Sequence, residues 1–88
     1  MISLSSMLRS DLPTLDLHGM DRETARVMIN DFIKENSKLK KDTFFIVHGI
    51  GSGILKETTS QILKKNNQVI EFGIHYFNSG CTVVRIKI

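Results

Sequence analysis

Apolar and polar positions recur along this chain with two periods, and the changes of period mark out six elements. From Thr14 to His18, Leu15 and Leu17 alternate with Asp16 and His18. A period of two places alternate side chains on opposite faces of a strand. Pro13, the only proline, precedes it and pushes the residue before it out of the helical region. Gly19 ends the strand, and Asp21 is placed to cap a helix running to about Leu39. The stripe Ala25, Met28, Ile29, Phe32 and Ile33 has the spacing of one helix face. Lys34, Lys38, Lys40 and Lys41 fall in or after its last turns, where cations suit the helix dipole. Thr43 to Val47 is a nearly unbroken apolar run, the pattern of a strand in the middle of a sheet. The glycine loop His48 to Gly53 leads into a second helix from Ile54 to Lys65, expected to bury Ile54, Leu55, Thr58, Ile62 and Leu63. A third strand, Gln68 to Phe77, puts Ile70, Phe72, Ile74 and Tyr76 on one face. Asn78-Ser79-Gly80 is a hairpin turn. Cys81 to Ile88 is the fourth strand, with Val84, Ile86 and Ile88 inward and Arg85 and Lys87 outward.

The order βαβαββ predicts an α/β chain of the α+β two-layer kind, with a four-stranded mixed sheet. Strand–helix–strand units join parallel strands, so the first three strands are expected to share a direction and the fourth to oppose them. Crossovers of one hand put both helices on one face and leave the other to solvent or a partner. With 88 residues, 41% of them hydrophobic, the chain has room for one domain and one core. Residues 1–12 are read as an N-terminal extension and 13–88 as the domain. No run nears the ~18 apolar residues of a membrane helix, and the N-terminus lacks the apolar stretch of a signal peptide. A single cysteine, Cys81, excludes an intrachain disulfide. A cytoplasmic protein without a membrane partner is therefore expected. The formal charge is +3. Its excess comes from the second half, where Lys56, Lys64, Lys65, Arg85 and Lys87 face only Glu57 and Glu71. Such a balance suits a polyanionic partner and an ordinary solvated surface about equally.

The candidate chemistry lies at two strand ends. His18-Gly19 closes the first strand and His48-Gly49 the second. In a parallel sheet these ends share the edge where open α/β sheets bind ligands. Asp16 lies on the same face as His18. Such a pair can activate water, hold a divalent metal or shuttle a proton, and Asp16 can equally do no more than orient His18 or cap a backbone group. Gly49, Gly51 and Gly53 let backbone N–H groups approach an anion ahead of a helix N-terminus, which attracts phosphate. Ser52 can cap that helix or donate to a phosphate oxygen. Lys56, in its first turn, opposes the dipole, a cost that a bound phosphate would offset. The loop fits neither the Walker A nor the dinucleotide pattern. His75 and Cys81 make a poor zinc set.

Leu15-Asp16-Leu17-His18-Gly19 and His48-Gly49-Ile50-Gly51-Ser52-Gly53 stand in order, a helix apart, ahead of a closing Thr82-Val83-Val84 strand. Together they resemble the Smr domain, the small MutS-related domain, in its stand-alone bacterial form, over about residues 13–88. The resemblance implies sheet order 1-2-4-3, as in the C-terminal domain of bacterial translation initiation factor 3. It implies a protein that binds RNA or DNA and hydrolyses phosphodiester bonds as an endonuclease. The alternative is a non-catalytic module for nucleic acid or the ribosome; a small-nucleotide hydrolase is a third reading. Asp16 and His18 match the motif linked to cleavage, with His18 or a metal such as Mg2+ on Asp16 activating the nucleophile. His48, Gly49 and Gly51 match the nucleic-acid-binding loop, which also contains Ser52 and Gly53. Lys56 matches a frequently basic position. Without the ATPase region of larger relatives, no nucleotide cofactor is expected. Ile50 departs from the pattern by standing where many relatives carry lysine or arginine, and the turn Asn78-Ser79-Gly80 is short.

Overall fold

The computed structural model describes residues 12–88, so the expected extension lies, apart from Leu12, outside the described residues. The elements are β1 (Thr14–Asp16), α1 (Arg22–Lys38), β2 (Thr43–Val47), α2 (Ile54–Lys65), β3 (Val69–Ile74) and β4 (Cys81–Ile86). Three strands are shorter than expected: β1 stops at Asp16, β3 spans only Val69–Ile74, and β4 ends at Ile86. The sheet order is β1-β2-β4-β3. β1 and β2 are parallel, and β4 runs antiparallel to both β2 and β3. Hence β1, β2 and β3 share a direction, and their carboxyl ends share an edge.

Paired residues sit on the same face of a sheet. On one face lie Leu15, Phe44, Ile46, Val84 and Ile86, all buried. Ala25, Ile29 and Ile33 of α1 and Leu63 of α2 join them in a single core, so both helices cover this face. The rings of Phe32 and Phe44 meet edge to face at 5.1 Å. The opposite face is not open as expected: Val83 is 0% exposed, and Cys81 and Thr43 are also buried. Part of the reason is aromatic. Phe45 of β2 and His75 beyond β3 touch edge to face at 5.4 Å, which closes their rings over the intervening β4. Burial pushes the Cys81 thiol up from its ordinary value.

Both ends of α1 are satisfied locally. Asp21 accepts from the Thr24 N–H at 2.7 Å, and that bond holds its carboxyl below the ordinary value. At the far end Lys40 has a φ of 58°. The amides of Lys40 and Lys41 reach the carbonyls of Ser37 and Asn36, the double closure of a Schellman motif. Five expected core positions shift outward. Met28 is 37% exposed, because the buried stripe of α1 runs through Ala25, Ile29, Ile33 and Asn36. Ile54 is exposed at the rim of α2, where Thr59 replaces Thr58 as the buried threonine. A bulge between Val69 and Glu71 turns Ile70 outward and leaves Val69 and Phe72 on the core. Ile88 lies beyond the end of β4 and is exposed.

Leu17 is fully buried where the chain leaves β1. Leu17→Ala is expected to cost roughly 2–5 kcal/mol in chemical denaturation, the range for buried leucines. Met28→Ala, on the rim, should cost less than about 1 kcal/mol.

Candidate functional site

Two corners leave the sheet at the edge shared by β1 and β2. After β1, the Met20 N–H donates to the Leu17 carbonyl at 3.0 Å with Gly19 at φ 80°, a type II turn that needs glycine at its third position. Asp16 Oδ1 accepts the backbone N–H of His18 at 2.9 Å. The carboxylate therefore shapes the turn that presents His18, and among the described residues no hydrogen bond links it to the His18 ring. That ring is exposed.

His48 behaves oppositely. The residue is only 5% exposed, and both ring nitrogens have partners. Nδ1 lies 3.0 Å from the Gly49 carbonyl, which can only accept, so Nδ1 donates. Nε2 meets the Thr82 hydroxyl at 2.9 Å. The amides of His48 and Gly49 both donate to the Gly80 carbonyl, at 2.9 and 3.0 Å. His48 thus acts on the loop from beneath, through the position it imposes.

The loop ends at Gly53, which starts α2 in a left-handed conformation (φ 82°) and has no side chain to cap it. Ser52 Oγ accepts the Ile54 N–H at a long 3.4 Å. The N–H groups of Leu55 and Lys56 have no acceptor among the described residues. This contrasts with α1, where Asp21 fills that role. Exposed first-turn N–H groups and the helix dipole favour an anion. They open onto a groove of about 590 Å³ lined by His18, Gly19, His48, Gly49, Gly51, Ser52 and Gly53, with Arg22 and Ile50. The structure thus brings all the expected site residues to this groove except Asp16 and Lys56. Asp16 lies behind the His18 turn, and Lys56 is one residue beyond the last lining position.

Other expected cations lie elsewhere. Lys64 and Lys65 are at the far end of α2, roughly 16 Å along its axis. Arg85 pairs with Thr43 at the opposite edge of the sheet, and its guanidinium meets Glu71 at 3.0 Å. Lys87 lies past it. Arg22, Thr82 and Gly80 were missed from sequence. Arg22 follows the Asp21 cap and so starts a helix at this edge, which is a readable signal. The bonds of Thr82 and Gly80 to the His48 corner depend on β4 lying beside β2, and no local pattern shows that. Among the described residues no group of three His, Cys, Asp or Glu is placed to hold a metal ion, and one oxygen of Asp16 accepts the His18 N–H.

A Cβ at Gly51 would meet nothing within 4 Å, and this residue does not have positive φ. Gly51→Val is therefore expected to melt within about 3 °C of wild type. Gly53→Val forces a branched side chain into the left-handed region, at a cost of roughly 1–2 kcal/mol, and should lower Tm by about 5 °C or more. Parallel thermal melts check both.

The Smr domain family model matches residues 15–87. Endonuclease MutS2 of Streptococcus suis is 36% identical over 83 residues, which cover 91% of this chain and 11% of that protein. Endonuclease MutS2 of Aquifex aeolicus is 39% identical over 77 residues, covering 84% of this chain and 10% of that protein. The chain thus spans about a tenth of the length of these curated relatives. Among solved structures, the Smr domain of Thermus thermophilus MutS2 superposes with a TM-score of 0.85 at 24% identity, covering 88% of this chain and all of that one. YdaL, a stand-alone small MutS-related protein from Escherichia coli, gives 0.77 at 21% identity, over 85% of this chain and 64% of that one. Both likenesses are of fold. With the family model covering both His-Gly corners and every strand and helix between them, the chain belongs to the Smr domain family.

Proposed function

We propose that this Smr domain binds RNA or DNA by a backbone phosphate at the start of α2 and cleaves a phosphodiester bond with His18. The observation that carries this reading is the uncapped α2 N-terminus, which opens onto the same groove as the His18 ring. That the MutS2 relatives are named endonucleases supports it. Phosphate oxygens would accept from the Leu55 and Lys56 amides and from Ser52, with Lys56 and Arg22 supplying charge. His18 takes the proton of the attacking hydroxyl, from water or a neighbouring ribose. The new P–O bond forms as the opposite P–O bond breaks, and the leaving alkoxide is protonated from solvent. Asp16 is a positioning residue here, since its carboxylate fixes the backbone of His18. No step passes through Mg2+, so cleavage should persist in EDTA. A cytoplasmic setting, with Cys81 as a buried free thiol, completes the reading.

The second reading is a module that binds nucleic acid or the ribosome without cutting. It is favoured by the same Asp16 bond, which leaves the His18 ring without an activating partner among the described residues. One assay on labelled RNA and DNA decides. Under the first reading His18→Ala loses cleavage by about 10²-fold or more while keeping most affinity. Asp16→Asn, which still accepts the His18 N–H, should stay within about tenfold of wild type, whereas Asp16→Ala should approach the His18→Ala loss. Binding with no cleavage by the wild type selects the second reading.

With Lys56 and Arg22 as the cations at the site, the log–log salt slope for duplex DNA should be about −2, at roughly −0.9 per phosphate neutralised. Lys56→Ala or Arg22→Ala should each remove about one unit, and Lys64→Ala should leave the slope unchanged. Anisotropy titrations from low to moderate salt measure it.

A further inference from the structure

We propose that Tyr76 and Phe77, at the tip of the β3–β4 hairpin, form a stacking platform for an unpaired nucleobase of a strand whose phosphate lies at the α2 N-terminus. The inference rests on the nucleic-acid reading above and adds the part of the ligand that a phosphate site does not recognise. The two side chains are adjacent and 69% and 70% exposed. Their rings meet edge to face at 4.8 Å, an arrangement that leaves most of the ring faces uncovered.

The tip is tied down by hydrogen bonds despite its exposure. Phe77 N–H donates to His75 Nδ1 at 3.1 Å, and Gly80 N–H to Asn78 Oδ1 at 2.9 Å. Cys81 N–H reaches the Asn78 carbonyl, and His75 N–H the Cys81 carbonyl. Phe77 also leans on His75, which leans on Phe45 of β2. These rings are therefore presented on a held turn, which lowers the entropy lost when a flat ligand docks. Position selects the ligand. The Gly80 carbonyl binds the amides of His48 and Gly49, so the root of the hairpin meets the glycine loop at one end of the sheet. Exposed aromatics at the same end of the sheet as a phosphate site offer what a single strand requires: a π face for the base and donors for the backbone. A base within a duplex is already stacked on its neighbours and cannot use the platform. At Ile50 the loop apex carries no cation, so stacking would supply affinity that charge does not.

The test uses the chain's own fluorescence. Tyr76 is its only tyrosine and there is no tryptophan, so intrinsic emission reports on the platform itself. A short single-stranded RNA, the matching DNA strand and the blunt DNA duplex are titrated into the full chain. Both single strands are expected to quench Tyr76, and the duplex is not. Phe77→Leu keeps apolar bulk and removes the π face. It and Tyr76→Ala should each weaken labelled single strands about tenfold by anisotropy, with duplex binding changed less than about twofold. Melts of the two variants should match wild type, since both positions are exposed. The stacking proposal is overturned, and the phosphate reading stands, if single strands bind without quenching Tyr76 and Phe77→Leu binds them like wild type. Equal weakening of strand and duplex also overturns it, as does a change in sedimentation in place of a change in strand affinity, which would make the tip a contact between proteins. Absence of binding to any of the three nucleic acids sinks both readings together.

Discussion

The Gly80 carbonyl accepts two hydrogen bonds, from the amides of His48 and Gly49, and the candidate site is arranged around that shared acceptor. It fixes where the chain leaves β2, and so where the glycine loop begins. Beneath the same point the His48 ring bridges the Gly49 carbonyl and the Thr82 hydroxyl. An imidazole this far from water needs partners for both nitrogens, and this corner supplies them. β4 provides Gly80 and Thr82 to β2 only because it lies between β2 and β3. Because the chain order of strands and their spatial order differ, the last strand sets the geometry at the end of the second.

How far the sequence could be read depended on the range of the interaction concerned. The alternation around Leu15 and Leu17, the run Thr43 to Val47 and the limits of α2 are local patterns, and the structure follows them. The glycine spacing ahead of Ile54 likewise announced the helix start, although Ser52, read as a candidate cap, leaves the N-cap position to Gly53. Non-local facts were hidden. The Val69–Glu71 bulge resets the faces of β3, and no residue nearby signals it. Arg85 and Lys87 look like partners of Lys56 in a one-dimensional tally of charge. Because β4 runs antiparallel, they emerge at the other side of the molecule.

The two His-Gly corners look like copies of one device, yet the structure uses them differently. His18 stands outside the core on a turn shaped by Asp16, and its ring reaches the groove. His48 is inside and serves the loop through its backbone and its buried ring. What separates them is the neighbour on the far side. β1 is an edge strand with no further strand beside it among the described residues, whereas β2 has β4 at its flank. The same dipeptide presents an exposed imidazole in one setting and a buried brace in the other.

The contact between Gly80 and Gly49 also limits how such a chain can diverge. A Cβ at residue 80 would come within 3.1 Å of the Gly49 carbonyl carbon and 3.2 Å of its Cα, so neither backbone can retreat without parting the shared hydrogen bonds. Residue 80 is thus constrained by a backbone from which 30 residues of chain separate it. Extra residues in the hairpin are best accepted ahead of Asn78, away from the Gly80 contact itself. Lineages of this fold should therefore vary at the tip in length and aromatic content while its root stays constant.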